Sequence, residues 1–163
     1  CINSTETVNT MGLLNFIFGK SNKMENEFFG TMTFFEFKRE PHKNYFECSR
    51  HFKPTDKIIE IGIDGDKAGV TKEQIGFFRR IEDNYSKICQ TVAPLIEKEF
   101  GSWKEGFRIL DFQKEFEAVY LSLPRCETQP VIWEIAFESE HDGNHTFTLT
   151  MSDFEAKEIL IDG

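Results

Sequence analysis

The chain has 163 residues with 39% hydrophobic and 29% charged side chains, and its 19 basic and 28 acidic residues give a net charge of −9. This length is that of one ordinary domain that can bury a core without disulfides or metals, and the composition excludes a wholly disordered chain. The negative charge repels phosphate, so nucleic acids and anionic membranes are disfavoured as partners, whereas a basic protein is attracted.

The start of the chain is predicted to be an extension that precedes the folded domain. Met11 opens a stretch typical of the natural start of a small bacterial protein, so residues 1–10 are interpreted as an upstream addition. The alternative is that Cys1 is the lipidated first residue of a mature lipoprotein. The apolar run at residues 13–18 is expected to pack on the domain, with membrane attachment as its alternative.

The four cysteines are widely spaced and form no Cys-x-x-Cys pair, which favours a location in the reduced cytoplasm.

Alternating apolar and polar residues predict strands on both sides of one long helix. The predicted strands are residues 29–37, 45–52, 57–64, 116–123, 131–139, 145–151 and 158–162. Residues 1–27 are assigned to the N-terminal extension, flexible in part, and residues 28–163 to a single α+β domain. We expect a mostly antiparallel sheet, with one β-meander before the helix, a second after it, and the helix packed on the sheet.

The long helix is predicted over residues 71–100. Thr71 and Gln74 have the spacing of a capping box, in which each side chain satisfies a backbone donor at the start of a helix. Pro94 is expected to kink or restart the helix, and Gly101 to end it. Apolar residues recur at the helical period, which predicts a buried stripe that covers the sheet. These residues are Ile75, Phe77, Phe78, Ile81, Tyr85, Ile88, Cys89 and Val92.

A hairpin is predicted in the C-terminal part of the chain. A three-residue loop from His141 to Gly143 places the apolar residues of both strands on one face of the sheet. Such a loop needs a left-handed residue at its third position, which Gly143 supplies. The predicted apolar pairs are Trp133–Met151, Ile135–Leu149 and Phe137–Phe147.

Two histidines, His141 and His145, have the spacing of a metal-binding pair on a helix. The predicted register puts His141 in a turn and His145 on a strand opposite Ser139, so the two rings diverge. A calcium loop that begins at Asp64 fails too, because its twelfth position requires Glu and holds Ile75. The sequence has no nucleophile elbow, phosphate-binding loop or dinucleotide fingerprint. We therefore expect no cofactor and no catalytic residue, with these two histidines as the weak candidates for a metal.

Acidic residues are concentrated in the C-terminal part of the chain. From Glu134 to Gly163 there are eight acids and one lysine. Glu134 and Glu138 occupy the strand positions that point away from the predicted apolar face. The candidate binding residues for a basic protein partner are therefore Glu134, Glu138, Glu140 and Asp142. The alternative is that these acids only keep the domain soluble.

Two sets of short structural motifs lie within residues 28–163. The first set is Ile59-Glu-Ile-Gly-Ile-Asp-Gly-Asp66, Gly69-Val-Thr71 and Gln74. The second set is Trp133-Glu-Ile-Ala-Phe-Glu138, the strand around Phe147, and Ile159-Leu-Ile-Asp-Gly163. In these motifs the chain resembles a family of small bacterial domains of unknown function. Members of such families are often linked to toxin–immunity systems, so the resemblance implies an immunity role and supplies no catalytic residues.

The sequence thus predicts a non-enzymatic binding protein of bacterial origin. Its most specific form is an immunity protein that neutralises a basic toxin through an acidic face. One alternative is a small metal-dependent hydrolase that uses His141, His145 and nearby acids. The other is a membrane-associated protein anchored through residues 13–18. The oligomeric state is left open.

Overall fold

Residues 22–162 are described by a computed structural model, so the predictions for Cys1, Met11 and the apolar run at residues 13–18 lie outside the described part. Eight strands form one sheet in the order of the chain, with β1 at one edge and β8 at the other. They are β1 (Asn22–Asn26), β2 (Gly30–Phe35), β3 (Tyr45–Phe52), β4 (Lys57–Asp64), β5 (Phe116–Leu123), β6 (Ile132–Ser139), β7 (Asp142–Ser152) and β8 (Glu155–Asp162).

Neighbouring strands of this sheet run antiparallel except at its centre, where β4 and β5 are parallel. Parallel neighbours cannot be joined by a tight turn, so the chain must cross the length of the sheet between them. The crossover contains helices α1 (Lys72–Asp83), α2 (Tyr85–Gly101) and the short α3 (Phe112–Glu115). A 3-10 turn (Pro41–Lys43) precedes β3. The protein is an α+β fold with a mostly antiparallel sheet, as the sequence predicts.

The helices pack against one face of the sheet. Phe77 of α1 meets Trp133 of β6 edge-on, with ring centroids 5.9 Å apart, and Phe100 of α2 stacks on Phe147 of β7 at 5.1 Å. Burial of such large rings removes much apolar surface from water and is the main stabilising contribution to the fold. The buried strand residues on this face include Phe46, Phe52, Ile59, Ile61, Ile63, Leu121, Ile135, Phe137 and Leu149.

The helical segment is divided at Asn84 and continues through Pro94, so the predicted restart of the helix at Pro94 is wrong. The side-chain amide of Asn84 donates to the carbonyl oxygen of Arg80 at 2.8 Å, which satisfies the end of α1. Pro94 lies within α2 on its exposed side, and Gln90 one turn earlier is also exposed. Water can therefore hydrate the Gln90 carbonyl that Pro94 leaves without a helical partner, so the helix continues.

The start of α1 has the predicted capping box. Thr71 Oγ1 accepts the Gln74 N–H at 3.2 Å, and Gln74 Oε1 accepts the Thr71 N–H at 3.0 Å. The amide nitrogen of Gln74 also donates to the carbonyl oxygens of Asp64 at 2.8 Å and Pro124 at 3.1 Å. One buried side chain thus joins the first helix to the ends of the two parallel strands. The helical segment ends at Gly101, as predicted, but its C-cap is Ser102, so the predicted capping role of Gly101 is wrong.

The sheet begins earlier than the sequence predicts, because β1 lies within the stretch assigned to the extension. The five residues of β1 are polar except for Met24, whose side chain packs against the core. A strand with one inward-facing apolar residue shows too little alternation to be recognised. The folded domain therefore starts at least as early as Asn22.

Candidate functional site

Among residues 22–162, no helix packs on the face of the sheet opposite α1 and α2, and this face carries mostly polar side chains. Alternate residues of a strand point to opposite faces, so residues in one lateral row share this face. One row crosses every strand and consists of Lys23, Thr33, Glu47, Gly62, Ser122, Glu134, Thr150 and Glu158. The adjacent row contains Glu60, Tyr120, Ala136, Thr148 and Leu160. We call this surface the open face.

Carboxylates on the open face outnumber its cations. Lys57 pairs with Glu117 near the start of β5, and Lys23 lies on the edge strand β1. Eight acids of this face form no salt bridge with a lysine or arginine of residues 22–162. They are Glu25, Glu47, Glu60, Asp64, Glu134, Glu138, Glu158 and Asp162. The fold therefore holds several unpaired negative charges on one rigid surface.

Tyr120 lies at the centre of the open face, with its hydroxyl over Gly62. A Cβ atom at Gly62 would stand 2.4 Å from that hydroxyl oxygen, so the glycine makes room for the ring. Burial raises the pKa of Tyr120 to about 12, and the charges of Glu134, Glu47, Asp64 and Glu60 also raise it. The phenol is therefore neutral at physiological pH, with four carboxylates near enough to act on it.

A shallow depression of about 260 Å³ lies beside Tyr120. Its lining includes Thr31, Thr33, Glu47, Ser49 and Glu60. Carboxylates, hydroxyls and an aromatic ring are the groups that bind ammonium and guanidinium side chains. The centre of the open face is thus chemically suited to lysine or arginine.

The four predicted binding residues occupy different settings. Glu134 and Glu138 are exposed on the open face, while the neighbouring apolar residues of β6 are buried. Glu140 lies in the turn after β6 with 62% of its side chain exposed. Asp142 is 20% exposed and accepts hydrogen bonds from the Asn144 N–H and the His145 ring, which hold its pKa below the ordinary value. Asp142 therefore serves the hairpin itself, and the open face retains Glu134 and Glu138.

The two histidines contact different carboxylates. His141 Nε2 lies 2.7 Å from Oε2 of Glu115, and His145 Nδ1 lies 2.6 Å from Oδ2 of Asp142. Residues 22–162 contain no group of three or more His, Cys, Asp or Glu side chains placed to hold a metal ion. Each imidazole thus stabilises part of the hairpin through one carboxylate. The alternative function, a hydrolase that uses the two histidines, stays a prediction.

The hairpin has the predicted strand pairing and a different turn. Trp133–Met151, Ile135–Leu149 and Phe137–Phe147 are paired as predicted. Ser139, however, pairs with Asp142, so the turn consists of Glu140 and His141, and a bulge follows in β7. The predicted left-handed role of Gly143 is therefore wrong, as is the pairing of His145 with Ser139. The Asp142 carboxylate accepts hydrogen bonds from the Asn144 N–H and the His145 ring. These bonds fix residues 143–145, which allows β7 to start earlier than predicted.

Sequence reasoning assigned the acidic surface to the C-terminal strands alone. It did not include Glu47, Glu60 or Tyr120, which lie on β3, β4 and β5 of the same surface. The alternation in β3 and β4 shows which residues face away from the core. It does not show that β4 lies beside β5, since a parallel pairing across a helical crossover leaves no local signal.

Comparison of the chain with models of known protein families finds no match, and comparisons with curated proteins and with solved structures also find none. The resemblance to bacterial domains linked to immunity systems thus stays a prediction. Within residues 22–162, no helix combines the length and the apolar character needed to cross a membrane.

Proposed function

We propose that this chain is a non-enzymatic bacterial binding protein that holds a basic protein partner on its open face. The observation that carries the proposal is the set of eight carboxylates on that surface that form no salt bridge with a lysine or arginine of residues 22–162. Two four-stranded meanders joined through the helical crossover supply this continuous surface. A cytoplasmic immunity protein that neutralises a basic toxin is the specific form that we favour.

The physical basis of the proposal is preorganisation. The strands fix the spacing of the carboxylates before the partner arrives, so little conformational freedom is lost on binding. A surface of one sign also accelerates encounter with an oppositely charged protein and rejects acidic competitors. Tyr120 adds an aromatic anchor among the charges, a residue type that contributes strongly to binding energy at protein interfaces.

The double substitution Glu47→Lys with Glu134→Lys tests the role of the open face. Glu47 lies beside Gly62 and Glu134 beside Ser122 in the central row, so reversal of both charges should weaken binding of a labelled oligolysine peptide at low salt by roughly tenfold or more. Titration by fluorescence anisotropy measures the affinity, and amide chemical shifts locate the peptide. Addition of salt should weaken binding to the unaltered protein, because the attraction is between exposed charges.

A matched control is Glu105→Lys with Glu127→Lys. Both residues are exposed and lie outside the strands, and the two double variants change the net charge by the same amount. The control variant should therefore keep most of the affinity for the oligolysine peptide. Equal loss in both variants, or chemical shift changes centred away from the open face, would contradict the proposal. A native partner captured from host lysate must likewise be retained by the control and lost by the open-face variant.

A further inference from the structure

The outer edge of β1 is available for strand pairing in the described structure. Among residues 22–162, β1 is the first strand of the sheet and pairs with β2 alone. Lys23 and Glu25 face the open side, while Met24 packs toward the core. An edge strand presents backbone N–H and C=O groups that can bond to another strand, and proteins normally protect such edges with charges.

The charges of β1 complement a second copy of the same strand. Antiparallel pairing of two copies centred on Met24 sets Lys23 of each copy opposite Glu25 of the other. Opposite charges in directly facing positions stabilise a strand pair, and like charges destabilise it. Pairing centred on Lys23 or on Glu25 would instead set each of those residues against its own copy. The charges therefore favour the register centred on Met24, and that register is compatible with two-fold symmetry.

The other edge of the sheet has the opposite property. On β8, the residues that face the open side are Glu158, Leu160 and Asp162. Self-pairing centred on Leu160 would set Glu158 against Asp162 of the second copy, and self-pairing centred on Glu158 would set that residue against itself. Both arrangements are repulsive, so the charges of β8 disfavour self-pairing in these two registers.

We propose that two copies of this chain associate through antiparallel β1–β1 pairing centred on Met24. The sheet then continues from one copy into the other, and residues directly opposite each other share a face. Both open faces consequently lie on the same side of the dimer. This arrangement presents two acidic surfaces to one partner assembly, which raises the effective concentration at the second contact. The inference does not depend on the identity of the partner.

The size of the contact sets the expected strength. β1 has five residues, so the paired edge alone is smaller than the interface of a stable dimer. The association is therefore weak and depends on protein concentration. Its specificity resides in the charge register, which makes it accessible to a charge-swap experiment.

Sedimentation velocity over a range of protein concentrations tests the proposal with four proteins. These are the unaltered chain, Lys23→Glu, Glu25→Lys and the double swap Lys23→Glu with Glu25→Lys. Each single substitution creates two like-charge pairs across the dimer, so the dissociation constant of the dimer should rise by roughly tenfold. The double swap restores opposite charges and should return the dissociation constant to near that of the unaltered chain.

Several outcomes would overturn the proposal. A chain that is monomeric at every concentration, or a double swap as impaired as the single variants, excludes the charge-paired edge. Amide exchange that is slow along the outer edge of β1 in a monomer would mean that another segment covers this edge. Glu25 also accepts a hydrogen bond from Thr31 at 2.7 Å, so thermal unfolding of each variant checks that the fold is retained. The open-face variants should dimerise normally, which separates this test from that of partner binding.

Discussion

Replacement of Gln74 by Glu is expected to lower the free energy of unfolding by about 2–4 kcal/mol at neutral pH. Gln74 is fully buried, and its amide nitrogen lies within hydrogen-bonding distance of three carbonyl oxygens. They belong to Asp64, Leu123 and Pro124. Glu keeps the oxygen that accepts the Thr71 N–H but has no donor for these carbonyls when it is ionised. It also buries a charge against them, which is why the expected loss exceeds that of one ordinary hydrogen bond.

Urea denaturation of purified Gln74→Glu measures this loss, with Thr71→Ala as the control. Thr71→Ala removes one half of the capping box and leaves the Gln74 amide nitrogen in place, so it should cost about 1 kcal/mol. The comparison separates the cap from the junction of helix and strands. A Gln74→Glu variant no less stable than Thr71→Ala would show that the contacts with the strand ends contribute little.

Local signals predicted much of the sheet. The strands over residues 45–52, 57–64 and 116–123 have the predicted bounds. The first two alternate between apolar and polar residues and are bounded by turn residues, and the third ends before a proline. The pairing of Phe137 with Phe147 was also predictable, since a shift of one residue would expose an entire apolar face. The capping box at Thr71 needed only the spacing of two side chains.

The remaining features depend on contacts between residues distant in sequence. Gln74 was recognisable as a capping residue, but its bonds to the ends of β4 and β5 require the crossover to bring those strands together. Asn84 divides the helices by a side-chain bond to Arg80, whereas the stronger sequence signal, Pro94, is accommodated within α2. The same non-local pairing places Glu47 on one surface with Glu134. The open face is therefore a property of the assembled sheet.

Replacement of Glu115 by Leu should destabilise the protein by about 2–4 kcal/mol at pH 7, because a charged acceptor with several donors is lost. Glu115 Oε1 accepts the N–H groups of Leu110 and Asp111, and Oε2 accepts a hydrogen bond from the His141 ring. Its side chain is 9% exposed. The carboxylate thus ties the segment before α3 to the turn between β6 and β7, and its loss leaves backbone donors without a partner.

Glu115→Gln tests the charge separately from the shape, through the pH dependence of stability. Burial opposes ionisation of Glu115, but the hydrogen bonds from Asp111, His141 and Leu110 outweigh it and lower the pKa below the ordinary value of 4.5. A lowered pKa in the folded state stabilises the protein at pH values above 4.5, and this contribution is lost as the pH falls through the folded-state pKa. The difference in unfolding free energy between the unaltered chain and Glu115→Gln should therefore be largest near neutral pH and shrink below pH 4.5. Urea denaturation at a series of pH values measures it, and a difference that stays constant across this range would show that the charge of Glu115 does not stabilise the fold.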